Sequence, residues 1–434
     1  MKTQLAIILA ITFLMADTAC AQKPPAQKPA EQKAEQTAPP DCKQVSLGEP
    51  NTPEQKPAFP DQTRACAVET SVPLAVTVVA KGLDTPWAVE PLPDGNFLIT
   101  EKPGRFRIVS ADGKVGEPIE GLQPGAAAPE GEAPGLPTIA ARGQGGLLDV
   151  ALSPSFEKDR TIFWSFSEQR EGGNATSVAR GVLSPDMRKL SDVRVIFRAL
   201  PVFPNNMHFG SRLVFSNDGK LFITLGERSE SQRMRPLAQD LNSHNGKIVR
   251  IDPDGTVPAD NPFVGREGAQ DNIWTLGHRN IQSATLDDQG RLWIVEHGAR
   301  GGDELNLIEP GKNYGWPVIT YGEEYSGQPI SGGSTAKEGM EQPVYYWDPV
   351  IAPSGMEFYT GSAFPGWKGN FFVGGLVSKR LVRLVMKDNR VVGEEHLLTD
   401  RGQRIRDVRQ GPDGFLYLVT DDANGELLRI APGK

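Results

Sequence analysis

The chain has 434 residues and a formal net charge of −8, and it contains no lysine- or arginine-rich run. This balance argues against nucleic acid or an anionic membrane as the main partner, and it favours a small molecule or a protein. The 47 glycines and 36 prolines indicate many short strands joined by tight turns, because these residues supply the special backbone angles that turns require.

The N-terminus has the pattern of an export signal. Lys2 precedes an apolar run over residues 5–15, and Ala19-Cys20-Ala21 forms an A-x-A cleavage site. We therefore predict a signal peptide over residues 1–21. Cys20 could instead be the acylated cysteine of a lipoprotein, although Asp17 stands where such a signal normally has an apolar residue. Because no later apolar run approaches the ~20 residues that cross a bilayer, we expect no membrane span.

Residues 22–69 are predicted to be a Pro/Gln-rich linker followed by an N-terminal extension. The stretch over residues 22–40 is too poor in aromatic and β-branched residues to offset its ordering entropy. Once Cys20 is removed, Cys42 and Cys66 remain as an even pair, which favours one disulfide in an oxidising compartment over a metal site. The main domain is predicted over residues 70–434.

A hairpin unit recurs along this domain. An apolar strand, a turn built on Asp-Gly or a substitute, and a second apolar strand appear in six copies. Six such units predict an all-β fold, a six-bladed β-propeller of four-stranded antiparallel blades, with a pair of β-sandwiches as the alternative. A Gly/Pro/Ala-rich loop over residues 125–137 interrupts the series. The copies begin at Trp87, Leu147, Ser211, Ser283, Ser354 and Ile405.

Polar side chains cluster where these strands meet loops, and such loops converge on one mouth of a propeller. The basic members would suit a ligand with several carboxylates. Glu304 and the carbonyls of the GARGG loop are oxygen ligands of the kind that calcium prefers. Zinc-hydrolase, nucleotide-binding and serine-hydrolase motifs are absent from the sequence. The cluster comprises Gln144, His208, Arg279, Asn280, Lys379, Arg404 and Arg406.

Simpler interpretations of the same residues stay open on the pattern alone. An arginine beside a strand often forms a surface ion pair of little energetic weight. A Gly-rich loop often only turns the chain, and Asp303 could brace the GGDELN turn without a metal. His208 could be a structural hydrogen-bonding residue, a metal ligand or a general base, since its ordinary pKa lies near neutrality.

Several motifs in one order resemble the glucose/sorbosone dehydrogenase family over residues 75–432, and most closely its soluble aldose-dehydrogenase branch. The motifs are HFGSRLVF, LGHRN-x-Q, EHGARGGDELN, KNYGWP, EQPVYYW and DRGQRIRDVRQGPDGFLYLVTD. This resemblance implies a six-bladed propeller in the periplasm. It also implies an enzyme that uses pyrroloquinoline quinone (PQQ) and Ca²⁺ to oxidise aldose sugars at C1 to lactones.

The resemblance also implies roles for single residues. His208 would be the base that removes the proton of the anomeric hydroxyl while the C1 hydride passes to the C5 carbonyl of PQQ. Arg279 and Asn280 would contact the quinone oxygens, and Gln144 would lie beside cofactor and substrate. The remaining cofactor contacts would come from Lys379, Arg404, Arg406 and Asp421.

Metal and substrate roles follow from the same resemblance. The backbone carbonyls of Gly298 and Ala299 would hold the calcium of the cofactor, and Glu304 and Tyr314 match a second calcium site. Glu227 stands where the glucose-dehydrogenase branch has a sugar-contacting aspartate, so it is a predicted substrate residue, but a narrow glucose preference is not expected. Ala299 and Ile281 each replace a proline that is usual in the family. Tyr345 and Trp347 are predicted walls of the sugar pocket.

Partners and alternatives complete the expectation. The substrate would be an aldose without a narrow preference, the electron acceptor is not specified by the sequence, and the protein would be a monomer or a homodimer. One alternative is a calcium-dependent propeller lactonase, which would need no quinone and therefore no cluster of basic side chains around one pocket. A non-catalytic propeller that binds sugar or protein would not depend on His208.

Overall fold

The predicted hairpins form antiparallel strands, because their apolar residues alternate and their turns accept left-handed backbone angles. Gly95, Gly219, Gly290 and Gly414, which occupy four of these turns, all have positive φ values. The computed structural model of the chain describes residues 42–122, 138–229 and 233–433. The predicted signal peptide, the segment of residues 22–40 and the loop of residues 125–137 lie outside these described residues.

The described strands assemble into six four-stranded antiparallel sheets, numbered here as blades in chain order. The first strand, β1 (Leu74–Leu83), belongs to the last blade. Blade 1 contains β2 (Pro86–Pro91), β3 (Phe97–Glu101), β4 (Arg105–Val109) and β5 (Val115–Pro118). Blade 2 contains β6 (Leu147–Leu152), β7 (Thr161–Arg170), β8 (Gly173–Leu183) and β9 (Leu190–Arg198). Blade 3 contains β10 (Gly210–Phe215), β11 (Leu221–Leu225), β12 (Lys247–Ile251) and β13 (Ile273–Leu276).

The other three blades repeat this arrangement and confirm the predicted six-bladed β-propeller. Blade 4 contains β14 (Ile281–Leu286), β15 (Leu292–Glu296), β16 (Asp303–Leu307) and β17 (Tyr345–Trp347). Blade 5 contains β18 (Pro353–Phe358), β19 (Phe371–Gly375), β20 (Arg380–Lys387) and β21 (Arg390–Leu397). Blade 6 contains β22 (Ile405–Gln410), β23 (Leu416–Thr420) and β24 (Gly425–Pro432), which pairs with β1. The described helices are short: α1 (Phe156–Asp159) and two 3₁₀ turns, Arg235–Gln239 and Ile330–Gly332.

Pairing between the two ends of the domain closes the ring. Strand β1 runs antiparallel to β24, so the N-terminal strand completes the blade that the C-terminal strands begin. The first strands of the other blades and β22 contact one another around the ring, and they therefore form its inner wall. Apolar clusters fill the spaces between adjacent blades; Trp87 and Trp164, for example, share the cluster between blades 1 and 2.

Every inner strand has a register shift close to its first residue. The shifts in β2, β6 and β10 fall at Pro86/Ala88, Leu147/Val150 and Gly210/Leu213. Those in β14, β18 and β22 fall at Ile281/Ser283, Pro353/Met356 and Ile405/Asp407. A bulge of this kind redirects side chains and is frequent beside functional sites. The six bulges lie at the same end of the ring, so a functional site is expected at this end.

The N-terminal extension is folded against the propeller from residue 42 onward. Cys42 and Cys66 form the expected disulfide. Ala65 and Leu47 pack into the apolar cluster between blades 4 and 5, which the sequence did not predict. No helix among the described residues is long and apolar enough to cross a membrane.

Candidate functional site

A cavity of about 500 Å³ opens at the end of the ring where the bulged inner strands begin. Trp87, Leu148, Gln282 and Arg406 reach it from four of these strands. Gly210 reaches it from a fifth inner strand, β10. Loops supply most of the remaining wall, and three of them carry predicted site residues, namely Gln144, Arg404 and Asp421. The bulges therefore direct residues far apart in sequence towards one space.

His208 lies beside this cavity, directly before the lining residues Phe209 and Gly210. Its backbone has a φ of 50°, and its side chain is buried. Nδ1 lies 2.9 Å from Oε1 of Glu227, and the backbone N–H of His208 donates to Oε1 of Gln144 at 2.7 Å. These two bonds hold the imidazole and the backbone of His208 in place. The described residues provide no hydrogen-bond partner for Nε2.

The electrostatics favour a neutral imidazole beside an ionised carboxylate. Burial and then the positive charge of Arg279 lower the pKa of His208 below its ordinary value. Burial acts to raise the pKa of Glu227, but the hydrogen bond with His208 and nearby positive charge outweigh it, and that pKa is lowered. We therefore assign the proton to Nδ1, where it is donated to Glu227, which leaves the Nε2 lone pair free as a base.

Glu227 consequently has a different place from the one predicted. The sequence suggested a sugar contact, but this carboxylate is buried and both its oxygens are engaged within the chain. Oε1 accepts from His208, and Oε2 accepts the backbone N–H of Ser229 at 2.6 Å. Its position is that of a group that orients the histidine.

Arg228, which sequence reasoning did not single out, fixes the loop that carries His208. Its guanidinium donates to the carbonyl oxygens of Met207 and Asn205 at 2.9 and 2.5 Å and to Oδ1 of Asn174 at 2.6 Å. It also lies 3.9 Å from the ring centroid of Phe209. These contacts hold the residues on both sides of His208 in the chain. The sequence signal that could have identified Arg228 is its position directly after Glu227.

The wall formed by blades 1 and 6 is cationic. Arg404 and Arg406 both pair with Asp421, at 2.7 and 2.8 Å. Lys102 lines the same cavity and donates to the carbonyl oxygen of Gly143 at 2.9 Å. Burial and the neighbouring Arg406 lower the pKa of Lys102. Positive charge is thus concentrated here, and Lys102 is a residue that sequence reasoning missed although it follows a predicted strand directly.

Lys379 lies next to this wall. It lines an adjoining cavity of about 370 Å³ that shares Arg404 and Asp421 with the first. Its backbone φ is 53° and its side chain is exposed. The structure therefore brings all the predicted basic residues except Arg279 to one continuous depression, with Asp421 between two of them.

Arg279 and Asn280 lie at the opposite side, next to the histidine. Oδ1 of Asn280 accepts the N–H of Gly210 at 3.2 Å, and Arg279 donates to the carbonyl oxygen of His297 at 3.2 Å. Nε of Arg279 and Nδ2 of Asn280 are buried without a hydrogen-bond partner among the described residues. Unpaired buried donors are costly, and at a site they indicate a missing acceptor.

A second, very small cavity of about 10 Å³ adjoins the first, and His297 lines both. Gly298, Glu304 and Tyr314 line it, as does Arg279. Burial and the nearby Glu296 carboxylate raise the pKa of Glu304 well above its ordinary value. The hydroxyl of Tyr314 donates to the carbonyl oxygen of Leu307 at 2.8 Å, so it is already engaged.

The loop of residues 298–302 lies beside this small cavity. The N–H of Gly298 donates to Oδ1 of Asp303 at 2.8 Å, which supports the brace predicted for that aspartate. A Cβ on Gly298 would approach the carbonyl oxygen of Gly301 to 2.2 Å, so the tight turn requires glycine. The described residues contain no group of three or more His, Cys, Asp or Glu side chains arranged to hold a metal. A cation here would therefore need backbone oxygens as well as any side-chain ligand.

Tyr345 and Trp347 do not reach either cavity, which corrects their prediction as pocket walls. Both are fully buried in the apolar cluster between blades 4 and 5. Their polar atoms point to Glu394, at 2.7 Å from the Tyr345 hydroxyl and 3.2 Å from the Trp347 indole nitrogen. They belong to the outer strand β17, whereas the site is built at the inner strands.

Comparison with known proteins decides the family. A sequence model of the family described as glucose / sorbosone dehydrogenase matches residues 83–429. The chain belongs to this family. The match confirms the resemblance predicted from the motifs.

Relatives of this glucose/sorbosone dehydrogenase family member agree with that placement. The chain is 44% identical over 361 residues to aldose sugar dehydrogenase YliI of Escherichia coli (strain K12), covering 82% of this chain and 92% of the relative. It is 27% identical over 358 residues to quinoprotein glucose dehydrogenase B of Acinetobacter calcoaceticus, covering 65% and 74%. These similarities extend over most of the propeller rather than over one motif.

Solved structures of the family have the same architecture. The apo-form of the soluble aldose sugar dehydrogenase from Escherichia coli aligns with a TM-score of 0.77 at 42% identity, covering 83% of this chain and 100% of that one. The PQQ-bound form of aldose sugar dehydrogenase from Streptomyces coelicolor aligns with a TM-score of 0.64 at 28% identity, with the same coverage. The propeller is therefore the shared core of the family.

Proposed function

We propose that this chain is a PQQ- and Ca²⁺-dependent aldose dehydrogenase that oxidises the sugar at C1 to a lactone, with His208 as general base. The observation that carries the proposal is the juxtaposition, around one cavity, of a buried His208–Glu227 pair and a cationic wall. A base with a free Nε2 suits proton abstraction, and the wall suits a cofactor with several carboxylates.

The chain's own residues account for the proton transfer. Nε2 of His208 takes the proton of the anomeric hydroxyl as the hydride leaves C1 of the aldose. Glu227 accepts the hydrogen bond from Nδ1 at 2.9 Å and stabilises the imidazolium that forms. Gln144 holds the backbone of His208 and lines the cavity, so it lies within reach of both reactants.

The donors around the cavity fit PQQ. Lys102, Arg404 and Arg406 outnumber the carboxylates of Asp421 and Asp422 that line the same cavity, and a carboxylate-bearing ligand would balance the excess positive charge. The unpaired donors of Arg279 and Asn280 suit the quinone oxygens. Bound PQQ would supply the hydride acceptor, and a calcium ion beside it would polarise the accepting carbonyl.

The oxygen atoms near the small cavity fit calcium. We assign the cofactor-associated ion to the carbonyl oxygens of Gly298 and Ala299. Glu304 is assigned to a second ion together with the backbone of Tyr314, because the phenol of that tyrosine is already engaged. The Glu304 carboxylate receives one side-chain hydrogen bond, from Asn306 at 3.1 Å, and it lacks a cationic partner among the described residues.

Compartment and partners are part of the same proposal. The signal-like N-terminus supports export to the periplasm, and the disulfide of residues 42 and 66 suits an oxidising compartment. We propose an aldose substrate without narrow preference, because Glu227 is occupied by His208 rather than free to select a sugar. The partners would also include an external electron acceptor, whose identity the sequence does not specify.

The decisive experiment adds PQQ and CaCl₂ to the purified apo-protein and follows dye reduction with several aldoses. We expect turnover that requires the quinone, the metal and an aldose together, with lactone as product. Lactone hydrolysis in the absence of quinone would instead favour the lactonase interpretation.

Binding is measured in parallel by titrating PQQ into the same preparation. Saturable PQQ binding without turnover on any aldose would refute the dehydrogenase proposal and leave a binding protein. Tight binding after exhaustive chelation with EGTA would refute the calcium bridge while leaving the hydride transfer intact.

A further inference from the structure

Residues 42–69, called the extension below, form a closed loop on the outer side of blades 4 and 5. The Cys42–Cys66 disulfide closes it, and the N–H of Val45 donates to the carbonyl oxygen of Ala65 at 3.0 Å. The family match begins at residue 83, so the extension lies outside the region that defines the family. Its function has to be argued from its own contacts.

One limb of the extension grips the carboxylate of Asp348. The backbone and side-chain nitrogens of Asn51 donate to Oδ1 at 2.9 and 3.0 Å. The N–H of Thr52 donates to Oδ2 at 3.0 Å. The Thr52 hydroxyl lies 2.9 Å from Oδ2 and 3.3 Å from the carbonyl oxygen of Tyr321, so it bridges two separate segments.

The segments that contain Asp348 and Tyr321 lie on either side of residues 298–302. This loop is called the metal loop below, because the proposed function assigns calcium to it. On one side, the N–H of Gly302 donates to the carbonyl oxygen of Trp347 at 2.9 Å. A Cβ on Gly301 would approach Oδ1 of Asp348 to 2.7 Å, which shows how closely the loop packs on that side chain. On the other side, Arg300 and Glu323 exchange backbone hydrogen bonds of 3.1 and 3.0 Å.

The second limb ties the extension to the blades. Gln62 is fully buried. Its side-chain amide donates to the carbonyl oxygen of Pro343 at 2.8 Å, and its backbone carbonyl accepts the N–H of Tyr346 at 2.8 Å. The N–H of Ala65 donates to the Tyr345 hydroxyl at 2.9 Å. Both limbs are therefore anchored, and the disulfide holds them together.

We propose that the extension is a clamp that holds the metal loop in its calcium-binding shape, with Asn51 and Thr52 as positioning residues. The proposal rests on the proposed function, which assigns calcium to the carbonyls of Gly298 and Ala299. Neutral carbonyl ligands bind a cation well only when they are already oriented, because ordering a free loop costs conformational entropy. The clamp supplies that order from outside the propeller.

The test is calcium binding to the full-length apo-protein, measured by isothermal titration with CaCl₂ in the absence of PQQ. Asn51→Ala/Thr52→Val is compared with its parent, both carrying Glu304→Gln so that the second proposed ion does not contribute. We expect the calcium dissociation constant to rise about fivefold or more, the usual range for coupling between separate sites. Calcium should also raise the melting temperature of the variant less than that of the parent.

Two further variants complete the experiment. Lys56→Ala changes an exposed side chain of the same extension whose ammonium group hydrogen-bonds only to the carbonyl oxygen of Pro53 among the described residues, and it should leave calcium affinity unchanged. Cys42→Ser/Cys66→Ser should weaken calcium binding in the same direction as the clamp variant. If the double clamp variant does not fold, Thr52→Val alone carries the test.

The outcomes separate the clamp from the function on which it rests. A folded clamp variant with the calcium affinity of its parent would overturn the clamp. A parent that binds no calcium, either alone or with saturating PQQ, would overturn the calcium assignment itself, whatever the extension does.

Discussion

The His208–Glu227 pair and the cationic wall, on two sides of the cavity, differ in how their polar groups are satisfied. On the histidine side, the base already has hydrogen-bond partners within the chain: Nδ1 of His208 bonds to Glu227, and its backbone N–H donates to Gln144. On the cationic side, Arg404 and Arg406 share one carboxylate, Asp421, and Lys102 has a backbone carbonyl. The comparison indicates that the proton-transfer pair is complete before any ligand binds. The cationic wall, called the cradle below, has an excess of positive charge that a bound anion would neutralise.

The sharpest way to break this comparison is His208→Gln. Removing the base should lower kcat by about 10²–10⁴-fold, the usual contribution of general acid–base catalysis. The dissociation constant of PQQ should hardly change, because the proposed cofactor contacts come from the cationic wall and from Arg279 and Asn280 rather than from the His208 side chain. Dye-coupled turnover at saturating PQQ and a fluorescence titration of PQQ measure the two quantities separately.

A matched control for this variant is His396→Gln on blade 5, whose ring contacts Glu394 and Arg380 rather than the cavity. It should retain parental turnover. If His208→Gln kept near-parental kcat, the histidine would be a structural residue and the division between the two sides would be wrong.

The next largest effect is expected from the cradle. Arg406→Gln removes a charged donor that would meet a cofactor carboxylate, a contact of about 1.5–3 kcal/mol. The dissociation constant of PQQ should therefore rise about tenfold or more, while kcat at saturating cofactor stays close to that of the parent. The control is Arg401→Gln, which removes a cation that lines neither the first cavity nor the adjoining one and that pairs with Glu426 at 2.8 Å. Equal PQQ affinity in both variants would exclude Arg406 from the cradle.

The fold was largely predictable because its signal is local. Each Asp-Gly or equivalent turn lies between two apolar runs, so a hairpin can be recognised within about twenty residues of sequence. The closing strand β1 was not predicted as a part of blade 6, since it pairs with β24 some 350 residues later and no local pattern encodes that pairing. The packing of the extension on blades 4 and 5 escaped prediction for the same reason.

The site was predictable only in part, because motifs identify residue types but not the direction of side chains. Tyr345 and Trp347 stand in a recognisable motif, yet β17 is an outer strand and both face the core. Lys102 lacks any motif, but the turn after β3 brings it to the cavity. Glu227 was placed near the sugar, whereas only the fold reveals that it faces His208.

The smallest predicted effect concerns Arg228, which belongs to the histidine side but touches no reacting atom. Burial and then Arg279 lower the pKa of His208, and the charge of Arg228 contributes in the same direction. A base with a lowered pKa stays neutral to lower pH, so activity should be lost only as pH falls through that pKa. The fall of kcat at low pH is called the acidic limb here. Arg228→Met removes the positive charge, so the pKa of His208 should rise and the acidic limb should move to higher pH.

Arg228→Lys is the discriminating partner of that variant. A lysine keeps the positive charge but cannot reproduce the fork that reaches Met207, Asn205 and Asn174 together. It should therefore leave the acidic limb of kcat against pH in place while lowering kcat by a few-fold, roughly what the loss of one hydrogen bond implies. A residue that merely stabilised the fold would change the melting temperature in both variants without moving the limb in either. A limb that shifts only with Arg228→Met would show that the charge, and not just the fork, prepares the base.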